Sequence, residues 1–405
     1  MKEGILLALT FLMVLLTFLP LWKNPHWSIR GLDFPRLQLC VLAFALLLAQ
    51  ALLLSYSEPL QMFISGVAIV CLAYQAWWII PYTWLWPKEV KSAGTNDDKP
   101  RIKVMAANVL TPNRQADRLK ALVREFEPDI LVTLETDSWW EEQLEELTDA
   151  YPHSIRCPLD NLYGMHVYSR LPLENAETRF LVEDDVPSMH AKVWLTSQIA
   201  IRMHFLHPAP PSPTENDEST ERDVELLVVA KSVRDDKDDI PIIVTGDLND
   251  VAWSFNTRLF RKISGLLDPR VGRCMVNSFH AQHWFLRWPL DHLFHSHHFR
   301  LVKIQRLHEL GLTTFRFWSN CNTTPRLNSK ACKATPKTNR RPTRRSPRSR
   351  LTSPMYLNRK KPEPFSARRS RSRTPSRPPP ADWSTKEDPR SVESGGCCFR
   401  LCRRV

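Results

Sequence analysis

Residues 242–250 are Ile-Ile-Val-Thr-Gly-Asp-Leu-Asn-Asp, and this stretch decides the fold prediction. Its first four residues are apolar or β-branched and predict a buried strand, and Gly246 allows a turn that other residues avoid. Asp247 and Asn249 are two apart, so in extended backbone a carboxylate and an amide point the same way. Such a pair can hold a hard metal ion beside a phosphate oxygen, but it also suits an ordinary turn that closes a strand. The rest of the chain decides between these two interpretations.

The charge of the chain is divided between an acidic body and a basic tail. The 405 residues carry a net charge of +12, whereas residues 311–405 hold 24 Lys/Arg and 5 Asp/Glu and carry +19, so residues 1–310 carry −7. The high overall pI therefore says nothing about the substrate of the body. The nine cysteines show neither a paired metal-binding spacing nor a disulfide framework.

Three apolar runs fill most of residues 1–86, which we predict to be a transmembrane region of three helices. The runs are 4–22, 37–56 and 60–82; none contains a charge, and each is near the ~20 residues that a membrane-spanning helix needs. Basic residues lie on one side of these spans, at Lys23, Arg30, Arg36, Lys88 and Lys91. The positive-inside rule thus favours a cytoplasmic domain on an inner or plasma membrane. Residues 87–100 are polar and are predicted to be a linker.

Residues 101–310 alternate predicted strands with predicted helices, as an α/β or layered α+β domain does. We predict strands at 102–107, 130–134, 165–168, 191–195, 199–206, 242–245 and 290–294, and helices at 114–126, 139–147 and 222–233. Polar residues stand at the ends of these strands: Asn108, Glu135, His207, Asp247, Asn249 and Asp291. Strands placed side by side in a sheet would bring these ends into one cleft, which favours a site over a set of unrelated turns.

At this point residues 101–310 resemble the endonuclease/exonuclease/phosphatase superfamily, which is deoxyribonuclease I-like. The resemblance depends on Asn108 in Ala-Ala-Asn-Val-Leu, Glu135 in Leu-Glu-Thr, residues 164–173, His207-Pro208, Gly-Asp-Leu-Asn at 246–249 and Pro-Leu-Asp-His at 289–292. The Asp-x-Asn block is specific in this context, whereas the Leu-Glu and His-Pro blocks are weak alone. The three preceding apolar runs resemble the bacterial membrane-anchored branch.

The resemblance implies an α+β fold, a four-layer α/β sandwich in which two packed β-sheets are flanked by helices. It implies an enzyme that hydrolyses a phosphoester with a metal-activated water, with Mg²⁺ (or Mn²⁺) held by Glu135 and Asn108. It assigns catalytic roles to four residues: Asp247 orients or deprotonates the water, Asn249 positions it with the phosphate, His207 donates to a phosphate oxygen, and Asp291 orients a second histidine. Because the body is acidic and tethered to a bilayer, a lipid-linked or small phosphoester is favoured over DNA.

The chain departs from the superfamily pattern after residue 310. The superfamily ends on Ser-Asp-His and Pro, but residues 311–320 contain no Asp-His and no Pro, and residues 311–405 form an Arg/Ser/Pro-rich tail that we predict to be disordered. The tail can be a basic arm that binds RNA or anionic lipid, an inert extension, or an out-of-frame translation of the usual ending. One codon choice for residues 312–320 encodes such an ending in another frame, and we favour this hypothesis. It predicts that the last strand and its catalytic histidine are missing and that activity is weak or absent.

A second class of function remains open beside the enzyme. The chain would then be a non-catalytic membrane protein whose basic tail binds nucleic acid or anionic lipid headgroups. Strong, salt-dependent binding of RNA by residues 311–405 would favour this alternative. Loss of a measurable hydrolytic rate on changing Asp247 or Glu135 would favour the enzyme.

Overall fold

Three long apolar helices at the amino terminus confirm the three predicted runs. The computed structural model describes residues 1–94, 100–277, 285–307 and 313–321, so the predicted tail beyond residue 321 lies outside the described part. The helices are α1 (Lys2–Phe18), a short α2 (Trp27–Arg30), α3 (Arg36–Leu53) and α4 (Pro59–Ile79). With the 3-10 turns Leu19–Trp22 and Ile80–Tyr82, the three candidate spans have 21, 18 and 24 residues. They are long and apolar enough to cross a membrane.

Polar side chains connect the three long helices through the interior of the bundle. The interhelical hydrogen bonds run from Gln61 to Glu3 (2.7 Å), from Gln50 to Thr10 (2.9 Å), from Gln75 to Thr17 (3.3 Å) and from Arg36 to Gln75 (3.1 Å). Polar groups in an apolar surrounding need partners, so these bonds fix the rotation of each helix about its axis. Arg36 also forms an ion pair with Asp33 at the end of the bundle that faces the rest of the chain.

The rest of the described chain is an α+β domain with two mixed sheets, as predicted. Its strands are β1 (Arg101–Asn108), β2 (Ile130–Leu134), β3 (His153–Cys157), β4 (Met165–Ser169), β5 (Leu173–Arg179), β6 (Ser188–Thr196), β7 (Ile199–Leu206), β8 (Ile242–Asp247), β9 (Asp291–His295), β10 (Phe299–Leu307) and β11 (Thr313–Cys321). One sheet has the order β10-β11-β1-β2-β4-β3, and the other has the order β5-β6-β7-β8-β9. The helices are α5 (Ala116–Phe126), α6 (Ser138–Leu144), α7 (Thr220–Asp235) and α8 (Phe255–Ser264).

Side-chain alternation along the strands produces four layers. Val104 and Ala106 of β1 face the other sheet and pack against residues such as Phe205 of β7. Met105 and Ala107, one position away, pack against the outer helices α5 and α6. In the second sheet, Leu206 and Val244 likewise face α7 and α8. Since successive residues of a strand point to opposite faces, each sheet is apolar on both sides and is buried between its partner and a helical layer.

The first sheet continues beyond residue 310, at which the sequence analysis ended the domain. Strand β11 (Thr313–Cys321) pairs antiparallel with both β1 and β10, so it lies inside the sheet rather than at its edge. A backbone strand is therefore present where the frame-shift hypothesis predicts that the last strand is missing. The sequence of this strand still lacks the Asp-His pair that ends the superfamily pattern.

Besides β11, three strands were not predicted from the sequence, namely β3, β5 and β10. Each of them lies at the edge of a sheet in the strand order above. An edge strand is covered less completely than a central one, and β5 accordingly has mostly exposed or half-buried side chains. The apolar alternation that marks a strand is therefore weak in this segment. Helix α8 was also not predicted, although Ser254 caps its first turn by accepting a hydrogen bond from the Thr257 N–H at 2.9 Å.

Candidate active site

The residues at the predicted strand ends lie along one edge of the two sheets. Asn108 ends β1 and Glu135 follows β2, and these strands run parallel. In the second sheet His207 follows β7 and Asp247 ends the parallel strand β8. Asp291 begins the antiparallel strand β9, directly opposite Asp247. The carboxyl ends of parallel strands and the start of an antiparallel neighbour share one edge, so the topology collects these groups there. We call this the catalytic edge.

Glu135 is a largely buried acid on the catalytic edge. The Asn108 amide donates to Glu135 Oε1 at 2.6 Å, and the Thr111 hydroxyl donates to the Glu135 backbone carbonyl at 2.8 Å. Glu135 Oε2 is buried and has no hydrogen-bond partner within the described part of the chain. Burial raises the pKa of Glu135 to about 7; the Asn108 hydrogen bond opposes this rise, and the charges of Asp247 and Glu215 add to it.

The turn after β8 holds Asp247 in place and joins two loops. Gly246 has φ +145°, and a Cβ there would overlap the Leu206 carbonyl, so only glycine fits. The Asn249 backbone N–H donates to Asp247 Oδ1 at 2.9 Å, which closes the turn with Asn249 itself at φ 49°. The Asn249 amide then donates to the Pro208 carbonyl at 3.0 Å. The turn therefore ties the segment that carries Asp247 to the segment that carries His207.

The buried side chain of Arg222 in α7 supports the turn after β8. This contact was not predicted from the sequence. The Arg222 guanidinium is buried and donates to the Asn249 carbonyl at 2.7 Å and to Asp223 at 3.0 Å, and it lies 3.8 Å from the carboxylate of Asp250. Asp250 also accepts a hydrogen bond from the Ser254 hydroxyl at 2.5 Å. An arginine in a charged helical segment carries no sequence signal for such a contact, because only the fold brings α7 against the turn.

His207 is buried at the same edge beside an aromatic ring. Burial lowers the pKa of His207, and the charge of Asp247 opposes this shift, so the imidazole is neutral at pH 7. Its ring centre lies 5.6 Å from that of Tyr163, whose hydroxyl donates to Glu215. Neither Tyr163 nor Glu215 stands at the end of a predicted strand, which is why the sequence pattern did not select them.

Asp291 and His292 connect the start of β9 to the same turn. Asp291 opposes Asp247 across neighbouring strands, where Cβ atoms are about 4.5–5.5 Å apart. His292 is buried; its Nδ1 accepts from Arg270 at 2.8 Å, and its Nε2 donates to the Asp250 carbonyl at 2.9 Å. Burial, followed by the charge of Arg270, lowers the pKa of His292 to about 3. His292 is thus a neutral group that holds the turn.

The oxygen atoms of this edge fit a divalent cation. Glu135 supplies a buried carboxylate oxygen without a hydrogen bond from the described residues, and the neighbouring charges of Asp247 and Glu215 oppose its ionisation. A bound cation would remove that opposition, since a positive charge favours the ionised acid. Carboxylate and amide oxygens, as in Glu135 and Asn108, are the ligands that Mg²⁺ prefers.

The comparison with protein families matches this arrangement. The model of the Endonuclease/Exonuclease/phosphatase family matches residues 105–319, which is more than half of the chain. The chain belongs to this family. Members of the endonuclease/exonuclease/phosphatase family generally act as phosphoesterases or nucleases and commonly use divalent metals. The match extends through most of β11, as the sheet topology does.

Solved structures with a similar fold come from several organisms. D. rerio TDP2 complexed with single strand DNA product is 14% identical, with a TM-score of 0.47, over 55% of this chain and 100% of that one. The human Nocturnin catalytic domain with bound sulfate is 16% identical, with a TM-score of 0.44, over 56% and 96%. An endonuclease/exonuclease/phosphatase from Beutenbergia cavernae is 15% identical, with a TM-score of 0.44, over 55% and 72%. No curated protein matches the sequence.

Proposed function

We propose that the chain is a membrane-anchored, metal-dependent phosphoester hydrolase. The observation that carries this proposal is the buried carboxylate of Glu135. Asn108 orients this carboxylate, and the charges of Asp247 and Glu215 lie close enough to raise its pKa. Several acids at one buried edge repel each other and have to be balanced by protons or by a cation. Asn108 and Glu135 hold Mg²⁺ or Mn²⁺ in this proposal.

The other residues of the catalytic edge divide the chemistry among them. Bound Mg²⁺ or Mn²⁺ supplies positive charge that offsets the charge of the phosphate and of the developing oxyanion. Asp247, held by the Asn249 N–H, orients the attacking water and accepts its proton. Asn249 positions the water and the phosphate, and neutral His207 donates its ring N–H to a phosphate oxygen. Asp291, opposite Asp247, orients a second histidine in this proposal.

The membrane anchor and the charge of the body favour one class of substrate. Three candidate spans precede the domain, and residues 1–310 carry −7. A polyanion such as DNA binds best to a basic surface, so a lipid-linked or small phosphoester is the better substrate. The charge bias of the spans favours the cytoplasmic face of an inner or plasma membrane.

The test is a metal-dependent screen of the full chain in detergent. Phospholipids, phosphoinositides, lipid diphosphates and DNA are incubated with Mg²⁺ or Mn²⁺, and with a chelator as the blank. Because residues 311–320 contain no Asp-His pair, we expect weak turnover that requires the metal and falls roughly 10²–10⁴-fold further in Asp247→Ala and Glu135→Ala. Glu125→Ala, an exposed acid on α5, is the matched control and keeps the rate. A folded chain that hydrolyses none of these esters contradicts the proposal, and salt-dependent RNA binding would then favour the non-catalytic alternative.

A further inference from the structure

The ends of the apolar helices contact the domain at segments adjoining the catalytic edge. At the end of the third span, the Tyr82 hydroxyl donates to the Ala252 carbonyl at 2.5 Å, and Arg258 donates to the Trp78 carbonyl at 3.0 Å. Between the first two spans, the Asp33 carbonyl accepts from Trp253 at 2.8 Å. These bonds come from different helix ends, so they fix the bundle against one side of the domain.

The segment that receives these contacts follows directly after the turn that ends β8. Val251, Ala252 and Trp253 are fully buried in an apolar cluster with Ile79 and Tyr82. Ala252 is five positions after Asp247, so even a fully extended backbone keeps their Cα atoms within about 17 Å. The carboxylate of Asp247 is therefore close to the point where the third span leaves the bilayer.

The loop that follows His207 is fastened to the bundle in the same way. Between the first and second spans, the Pro25 carbonyl accepts from the Ser219 N–H at 2.9 Å, and the Trp27 N–H donates to the Asp217 carbonyl at 2.9 Å. This loop and the turn after β8 are already joined by the bond from Asn249 to Pro208. The loop after His207 and the turn after β8, which both border the candidate site, are thus held by the end of the bundle that faces the domain.

The path of the linker shows which edge of the domain lies away from the helix bundle. From Tyr82 the chain runs down the side of the domain, where Glu89 pairs with Arg261 at 2.5 Å and the Lys91 carbonyl accepts from the Leu301 N–H at 3.1 Å. Leu301 lies near the start of β10, at the edge opposite the catalytic edge, since β9 runs from Asp291 towards that end. The described linker residues are thus packed on the domain. The catalytic edge therefore lies at the end of the domain that contacts the helix bundle, and the opposite edge lies away from it.

Large exposed apolar side chains surround this junction. They are Trp22, Trp27, Trp84, Leu85, Phe255, Phe285 and Leu286, and we call them the membrane rim. Phe285 is 55% exposed, and its carbonyl accepts from Gln38 at 2.7 Å, at the start of the second span. Phe255 lies 5.3 Å below the ammonium group of Lys23, at the end of the first span. Tryptophan at the ends of spans, as at Trp22, Trp27 and Trp84, is characteristic of the interfacial layer of a bilayer.

We propose that the candidate site hydrolyses the phosphoester headgroup of a lipid that stays in the bilayer, in the leaflet against which the catalytic edge rests. This inference rests on the proposed function and adds where the substrate comes from. A bilayer has an interfacial layer about 6 Å thick on each side of its hydrocarbon core, and it is in this layer that phosphate headgroups lie. The membrane rim places the domain against that layer. A nucleic acid would have to approach the same edge past an anionic surface that repels it.

The first test compares one headgroup in two physical states. The full chain is placed in vesicles of phosphatidylethanolamine, phosphatidylglycerol, cardiolipin and polyprenyl diphosphate, and its rate is compared with that on short-chain, water-soluble analogues of the same headgroups. Confinement to the leaflet raises the effective concentration of the substrate, so we expect the bilayer lipid to react at least ~10-fold faster at equal bulk phosphate. We expect Phe285→Ser to lower the ratio of the rate on the bilayer lipid to the rate on its soluble analogue. Val302→Ser, at an exposed apolar position near the opposite edge, leaves this ratio unchanged.

The outcomes separate the two proposals. If soluble esters or DNA are hydrolysed at least as fast as the bilayer lipids, this inference is wrong and the proposed function stands. If no phosphoester reacts with either metal, the proposed function is wrong and the inference falls with it.

A second measurement does not depend on activity. Photo-reactive benzoylphenylalanine at position 285 crosslinks to bilayer lipid several times more than at position 302; equal crosslinking at the two positions overturns the placement of the edge.

Discussion

Glu135 combines two unfavourable features at one position, a left-handed backbone with φ 59° and a largely buried acid. Non-glycine residues rarely adopt such a backbone, and the surrounding structure has to hold them there. Here the Thr111 hydroxyl bonds the Glu135 carbonyl, and the Asn108 amide bonds its side chain. Both bonds turn the acid towards the catalytic edge, which is consistent with a role as a metal ligand.

The raised pKa of Glu135 predicts how pH and metal change stability. Its pKa is about 7 in the folded chain against 4.5 as the ordinary value, so the folded state binds this proton more tightly between pH 4.5 and 7. The stability of the metal-free protein therefore falls as pH rises through this window, by on the order of 3 kcal/mol from this group. We expect the Tm of chelator-treated protein to fall less from pH 5 to pH 8 in Glu135→Gln than in the wild type.

Metal addition gives the matching half of that experiment. At pH 8, Mg²⁺ or Mn²⁺ raises the Tm of the wild type because it stabilises the ionised carboxylate, and it raises the Tm of Glu135→Gln much less. Glu125→Gln, on an exposed face of α5, responds as the wild type does. An equal metal response in all three proteins would show that Glu135 is not a ligand.

At the scale of elements, α7 supports the turn after β8 through the buried side chain of Arg222. Arg222 is buried at the start of the helix and bonds the Asn249 carbonyl between the carboxylates of Asp223 and Asp250. Arg234, near the other end of the same helix, forms an exposed pair with Asp235. The two arginines therefore have the same chemistry but very different surroundings.

These surroundings predict opposite results for the same substitution. Arg222→Met leaves the buried carboxylate of Asp250 without its cation, so we expect a loss of about 3–5 kcal/mol in the free energy of unfolding. Because the turn loses its support, kcat falls about 10-fold, by roughly 1.4 kcal/mol of activation free energy, with little change in KM. Arg234→Met changes the free energy of unfolding by less than about 0.5 kcal/mol and leaves kcat as it was. A normal kcat in a folded Arg222→Met variant would contradict the positioning role.

At the scale of the whole molecule, β11, the last described strand before the basic tail, lies inside the first sheet. It lies between β1 and β10, so that β10 reaches the rest of the sheet only through it. A chain that stops at residue 321 keeps every described strand, whereas one that stops at residue 310 lacks this connection. The two lengths therefore separate the contribution of β11 from that of the basic residues beyond it.

Truncation tests this difference directly. We expect the chain ending at residue 321 to unfold within a few degrees of the full chain, and the chain ending at residue 310 to lose cooperative thermal unfolding by circular dichroism. The physical reason is that the eight register pairs between β1 and β11 are lost. The buried strand β1 then has unpaired backbone N–H and C=O groups along one edge. A cooperative transition in the shorter chain at the temperature of the full one would show that β11 contributes little to the fold.

Much of this molecule could be predicted from local patterns. Three uncharged apolar runs predicted three spans, and apolar runs that end at polar residues predicted the central strands and the edge on which Asn108, Glu135 and Asp247 lie. The resemblance of these motifs to a known superfamily then predicted the layered fold. The edge strands β3, β5 and β10 were missed because their pattern is weak, and Arg222 was missed because its partner is distant in sequence.

What the sequence by itself determined is therefore the set of chemical groups and the order of strands and spans along the chain. These depend on the length and period of apolar runs, which are local properties. Only the tertiary structure decided that β11 enters the sheet and that burial raises the pKa of Glu135. It also decided that the catalytic edge contacts the ends of the apolar helices. Each of these depends on contacts between segments far apart in the chain, such as Tyr82 with Ala252, and on the dielectric surroundings that such contacts create.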